Sequence, residues 1–249
     1  KKKARSCAEM LNGTQIGGKR RSAHYSDLWM LKYLPKFINF VKENKSMVFR
    51  LCPIVTLLEG ESKMNSNKKA LELSSKRINL LKSKFHEARI TALLIMVLQF
   101  QHGDEKVQAR IVQLYLNNTL YVNGWDLVDC SAHLILGPWL MRRDKGILST
   151  LARSESLWER RIAIMSTFHF IRQQHFSPTL KIARLLLKDN EDLIHKAVGW
   201  MLREVGNRDR NTEEEFLRKY YRNMPRTMLR YAIEKFPEAR RQQYLNGTV

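Results

Sequence analysis

The chain has 249 residues, 44% of them hydrophobic, and carries 44 Lys and Arg against 24 Asp and Glu, a formal net charge of +20. That apolar content is enough for a packed core and excludes a disordered chain, while the longest apolar run, residues 92–98, is too short to span a bilayer. A charge this far from zero exceeds what solubility needs and points to a polyanion, most simply nucleic acid.

Residues 1–25 open with Lys1-Lys2-Lys3 and contain Gly17-Gly18-Lys19-Arg20-Arg21, a basic arm expected to be mobile. Within it, Gly13 to Lys19 has most of a phosphate-binding P-loop. Arg20 stands where a metal-coordinating Ser or Thr is needed, and no strand precedes it, so that reading is rejected. From residue 26 onward the periodicity predicts helices and nothing else. Residues 26–42 are amphipathic around Leu28, Leu31, Leu34, Ile38 and Val41, with Pro35 as a break; further helices are expected over 47–60 and 71–81, with a polar loop at 62–69. Residues 86–101 carry Ile90, Leu93, Leu94, Val97 and Leu98 at helical spacing. Gly103-Asp104 turns the chain, and 105–117 returns with Val107, Ile111 and Leu114.

A helix is then expected at Trp125, with Asn123 as N-cap, followed by Gly137-Pro138 and the basic piece Met141 to Lys145. Ser156-x-x-Glu159 has the capping-box spacing and opens a helix to about 173. Ser177-Pro178 opens the next, Asn190 caps one running to Val205, Thr212 to Glu215 is a second capping box, and Pro225 and Pro237 start the last two. Helix pairs recurring about every 40 residues suit an all-α fold, an α-solenoid of HEAT-like pairs with a concave basic face for DNA. The expected division is the arm at 1–25 and a single solenoid over 26–249.

Trp125 and Asp129 are four apart, so one helix face presents both. An indole face and a carboxylate together suit a cationic guest. The plainer alternative is a buried Trp with an Asp serving a neighbouring turn. Arg161 follows Trp158 by three residues, Gly199 permits close helix packing beside Trp200, Arg203 and Glu204, and Arg222 to Arg230 clusters arginines at a helix start, a natural place for a phosphate.

On Trp125 to Asp129, Leu157 to Ile164, Asp192 to Glu204 and Met224 to Ala232, the chain resembles the AlkD-like DNA alkylation repair glycosylases, over about residues 80–249. The resemblance implies a HEAT-like solenoid that hydrolyses the N-glycosidic bond of N3- and N7-alkylated purines in duplex DNA, as a monomer, without flipping the base. It implies Asp129 as the catalytic carboxylate, Trp125 and Trp200 as the tryptophans that contact the lesion, and Arg161 as the arginine beside them. Trp158, Trp139 and Trp29 are read as structural. The first 80 residues lack the family's Phe/Tyr- and Gly-rich opening segment, and no site residue is assigned there.

Such a site needs no cofactor and no metal. The seven histidines form no His-Glu-x-x-His, and no Cys-x-x-Cys exists. The three cysteines, Cys7, Cys52 and Cys130, are odd in number and widely spaced, which fits a reducing cytosol; Cys130 is expected to face the core. Arg142, Arg143, Lys145, Lys196, Arg203 and Arg226 are the expected phosphate contacts. A non-catalytic HEAT-like scaffold that grips nucleic acid or protein is the competing reading.

Overall fold

Asp104 receives the backbone N–H of Val107 at 2.8 Å and so starts a helix where the chain turns between the first helix pair. That pair, α1 (His86–His102) and α2 (Glu105–Leu116), falls where periodicity predicts it. In α1 the six consecutive residues 92–97 are all buried, covering every azimuth of the helix. The helix therefore lies inside the protein, which is why Ile95 and Met96 accompany the expected Leu93, Leu94 and Val97 in the core. The structure is a computed structural model and describes residues 78–249, which belong to the unit Ser74–Val249. The arm, the P-loop-like stretch, the helices expected over 26–42, 47–60 and most of 71–81, the 62–69 loop, Cys7, Cys52 and Trp29 lie outside the described residues.

The remaining helices are α3 (Trp125–Asp129), α4 (Ala132–Leu140), α5 (Gly146–Leu151), α6 (Leu157–Ser166), α7 (Phe168–Arg172), α8 (Ser177–Leu185), α9 (Asp192–Gly206), α10 (Arg210–Tyr220), α11 (Arg226–Ala232) and α12 (Glu238–Asn246), with short 3-10 turns at Thr119–Tyr121, Tyr221–Asn223 and Ile233–Lys235. No strand occurs among the described residues, and none of their helices is long and apolar enough to cross a membrane. The fold is all-helical, consistent with an α-solenoid of helix pairs. Helix α6 sits at the centre and packs on α3, α4, α5, α8 and α9; α9 in turn packs on α10 and most extensively on α11. Gly199 makes the last contact possible. A Cβ there would lie 2.4 Å from the Met228 backbone oxygen and 2.5 Å from Tyr231 Cβ.

Several helix starts differ from the sequence reading. Asn123 does not cap α3: Gly124 holds the N-cap position, and the Asn123 side chain accepts instead from Arg89 of α1. Neither capping box forms. Ser156 makes no cap bond, and Glu159 accepts from the Thr119 hydroxyl at 2.6 Å. The third start moves upstream to Asp209, whose carboxylate takes both the backbone N–H and the hydroxyl of Thr212, so Thr212 falls inside α10. At α9 the cap position is Glu191, one residue beyond Asn190. Tertiary partners claimed side chains that the local pattern reserved for capping. Pro225 and Pro237 do start the last two helices.

Two expected helices are broken. Ser166 and Thr167 return their hydroxyls to the carbonyls of Ile162 and Ile164, and the chain tightens there, separating α6 from α7. Ser131 does the same to Leu127 at 2.6 Å, separating α3 from α4. With that proton committed, Tyr115 of α2 donates its own hydroxyl to Ser131 at 2.9 Å.

Candidate active site

The break at Ser131 leaves α3 as a five-residue helix in which Leu127 and Val128 are fully buried, as is Cys130 at its end. Its position is fixed from α1 by His86, whose Nε2 lies 2.5 Å from Asp126 Oδ2, and by the bond from Arg89 to Asn123. On this anchored turn Trp125 is half-buried, and Asp129, one turn on, is 4% exposed. The sequence reading put both on one helix face, with a buried Trp and a structural Asp as the alternative; the carboxylate is buried against a guanidinium.

That guanidinium belongs to Arg161 of α6, itself 4% exposed. Its Nε donates to Asp129 Oδ1 at 2.9 Å and its Nη2 to Oδ2 at 2.7 Å, the parallel fork that suits arginine to carboxylate. The third nitrogen, Nη1, donates to the Leu193 carbonyl of α9 at 2.6 Å. One side chain thus joins three helices. Burial pushes the Asp129 carboxyl above its ordinary value; the Arg161 charge and hydrogen bonds oppose the rise, and Asp126 adds to it.

Trp200 stands two turns beyond Leu193 on α9 and is 3% exposed. A second connection reaches it from α4. His133, one turn after Asp129, meets the Phe168 ring edge-on at 5.4 Å, and Phe168 meets Trp200 at 6.1 Å. Burial lowers the His133 imidazole to about 4, with the Asp129 backbone carbonyl pulling the other way. Its Nδ1 is buried without a hydrogen-bond partner. Trp125, Asp129, Arg161 and Trp200 therefore belong to one interlocked set of helices, α3, α4, α6, α7 and α9. Sequence reasoning missed His133 and Phe168. The signal for His133 was its place four residues after Asp129; Phe168 had none, being visible only once α7 is separated from α6.

The expected phosphate contacts are more scattered. Arg142 is exposed. Arg143 lies over the Trp139 ring at 3.6 Å and pairs with Glu105. Lys145 donates to the Met141 and Arg143 carbonyls, Lys196 pairs with Asp192 at 2.7 Å, and Arg226 donates to the Leu245 carbonyl. Arg203 is a correction. It is 7% exposed and bonded to Glu234, inside the α9–α11 packing, and it is not available to a phosphate. Trp158 is half-buried at the start of α6. A cleft of about 630 Å³ opens along Asp104, Glu105, Lys106, Ala109, Trp139 and Arg143, away from the four expected catalytic residues.

Cys130 follows Asp129 directly and is fully buried, its Sγ 3.3 Å from the Leu127 carbonyl, and burial raises the thiol far above its ordinary value. No group of three or more His, Cys, Asp or Glu among the described residues could hold a metal ion.

Two curated proteins share a short stretch with the chain: the pre-rRNA-processing proteins esf2 of Schizosaccharomyces pombe and ESF2 of Yarrowia lipolytica, each 57% identical over 37 residues, 15% of this chain. The chain spans only 11% of the length of those relatives, and the likeness carries no more than that stretch. The larger match is of another kind. Residues 62–236, which hold α1 to α11 and every residue of the set around Asp129, match the family described as DNA alkylation repair enzyme. The chain belongs to the DNA alkylation repair enzyme family.

Proposed function

We propose that the chain is a monofunctional DNA glycosylase that hydrolyses the N-glycosidic bond of N3- or N7-alkylated purines in duplex DNA, with Asp129 as the catalytic group. The observation that supports this most directly is the buried fork of Arg161 on Asp129, one helical turn from the half-buried indole of Trp125. A purine alkylated at N3 or N7 is formally cationic, so its bond to the sugar is already weak and the base departs neutral without a general acid. What catalysis must supply is stabilisation of the positive charge that grows on the sugar as the C1′–N bond breaks. A fixed carboxylate in a poorly solvated setting does this far better than water, since its field needs no reorganisation. Arg161 fixes it in place and leaves each carboxylate oxygen a further lone pair. Water then adds to C1′ and releases its proton. The half-buried indole of Trp125 offers a face to the cationic nucleotide, while Trp200, 3% exposed, backs the site from within, and the base need not swing into a pocket as it does in most glycosylases.

The test is release of 7-methylguanine from methylated duplex by the full chain and by Asp129→Asn. The parent should release the base; the variant should lose nearly all release while still binding duplex. Removing the acid leaves Arg161 buried without its counter-charge, at a cost of about 3–5 kcal/mol, so circular dichroism must show the variant folded. Full activity in the folded variant, or none in the parent, would overturn the proposal.

The burial of Asp129 favours a second reading, a scaffold that grips nucleic acid without chemistry and uses the Asp129–Arg161 pair only to tie α3 to α6. In that case methylated duplex binds and remains intact.

A further inference from the structure

We propose that Arg172 and Arg208, closing on the Phe168 ring beside Trp200, form a two-guanidinium clamp for a backbone phosphate of nucleic acid. The inference rests on the reading of the chain as a DNA-acting protein and adds a binding site to it.

Arg172 ends α7, and Arg208 follows α9. Both are exposed, and each holds its guanidinium carbon 6.0 Å from the centroid of the same Phe168 ring. Each brings a positive charge to within 6.0 Å of one buried ring, and a shared anion would offset both. Both guanidinium groups keep donors for it. Arg208 spends only Nη1 on Glu204, at 2.8 Å to the backbone oxygen and 2.7 Å to Oε2, which leaves Nη2 and Nε. Arg172 pairs with no carboxylate among the described residues, and its guanidinium carbon lies 6.0 Å from the Phe168 centroid.

The fixed positive charge near the ring is that of the two arginines, of which Arg208 is paired with Glu204. The Arg172 charge bears on both His133 and His169, from α4 and α7, and each imidazole is held below its ordinary value by burial first and by Arg172 second or third. Glu204 is the one acid bonded to either arginine among the described residues. The guanidinium groups of Arg172 and Arg208 thus lie near the aromatic contact Phe168–Trp200. A phosphodiester is the anion that fits: its oxygens accept donors from two arginines. Of the residues expected beforehand to hold phosphate, Arg143, Lys145, Lys196 and Arg226 are engaged with Glu105, Asp192 or backbone carbonyls, Arg203 is bonded to Glu234, and Arg142 is exposed.

The experiment measures binding of the full chain to a fluorescein-labelled 25-mer duplex by anisotropy across a salt series. Arg172→Gln and Arg208→Gln should each weaken binding about tenfold and lower the salt slope by about one, and the double variant should lower it by about two. Duplexes with a single neutral methylphosphonate, moved along one strand, should reveal one position where the parent loses affinity and the double variant loses none. That coupling is not produced by a general loss of positive charge. Affinity and slope within twofold of the parent in the folded double variant would overturn the clamp, as would competition by millimolar inorganic phosphate equal to that by duplex phosphate. If the parent shows the clamp but leaves 7-methylguanine in place, the glycosylase reading fails and the clamp stands. If the parent releases the base and the double variant binds as the parent does, the clamp alone fails.

Discussion

Asp129 titrates against two opposed influences, and Arg161 decides how far it departs from the ordinary value of 3.8. Burial raises the carboxyl; the fork lowers it. The proposed chemistry requires the ionised form, so release of the base should fall as pH drops through a midpoint above the ordinary carboxylate value, and should be complete above it. Arg161→Lys keeps the charge but loses the planar fork. Its acid midpoint should therefore move to higher pH. A rate profile in which the lysine variant retains the parent midpoint would show that the fork does not set the titration. A second residue-scale consequence concerns Gln174, which follows α7 in the left-handed region at φ 60. A side chain there is strained, and Gln174→Gly should stabilise the chain by about 1 kcal/mol, raising Tm by about 2–4 °C.

At the level of elements, α9 is held by two glycines with different neighbours. At Gly199 the obstacle to a Cβ is backbone, the Met228 oxygen of α11 at 2.4 Å, so nothing can rotate away. Gly199→Ala should force α9 and α11 apart and cost about 1–3 kcal/mol or more, read as a lower denaturant midpoint. At Gly206 the obstacle is the Glu213 carboxyl of α10, which is 1% exposed and leaves Oε1 without a partner. Burial pushes Glu213 up to about 8, against the pull of Arg210 and Arg203. The folded chain then holds a proton that the unfolded chain releases near 4.5. Stability from this group is full below pH 4.5 and declines as pH rises from there to about 8. Glu213→Gln should flatten that decline and make the protein more stable than the parent at pH 8–9.

These elements also show what could be read in advance. The helices, the prolines that begin α11 and α12, and the tight approach at Gly199 follow from periodicity and from local backbone rules. The capping boxes at Ser156 and Thr212 were legible as patterns and still wrong, because Glu159 had Thr119 to bond and Asp209 reached Thr212 first. Spacing placed Trp125 beside Asp129, but no one-dimensional pattern contains the partner from α6 that draws the carboxylate inward. Arg203 misled for the same reason: a basic residue near Trp200 looks available until Glu234 is brought to it by α11 and the turn that follows.

For the whole molecule, a net charge of +20 must express itself in how binding responds to ions. Each phosphate neutralised releases counterions, so affinity for undamaged duplex should fall with a log–log slope of about 0.9 per phosphate. Six contacts would weaken binding by about a thousandfold between 50 and 200 mM salt. A slope near zero would show that the charge is merely surface, and would favour a protein-binding scaffold.

The sealed thiol of Cys130 has a consequence for the setting in which such a chain would operate. Reagents that methylate purine nitrogens also attack thiolates, which are softer and stronger nucleophiles than DNA. Cys130 is the immediate neighbour of the acid on which catalysis would depend, yet it stays protonated and shielded from solvent. The folded chain should leave this sulfur unmodified after exposure to methyl methanesulfonate, as peptide mass spectrometry would read. The agent that creates the damage would then find no target at the heart of the protein meant to remove it.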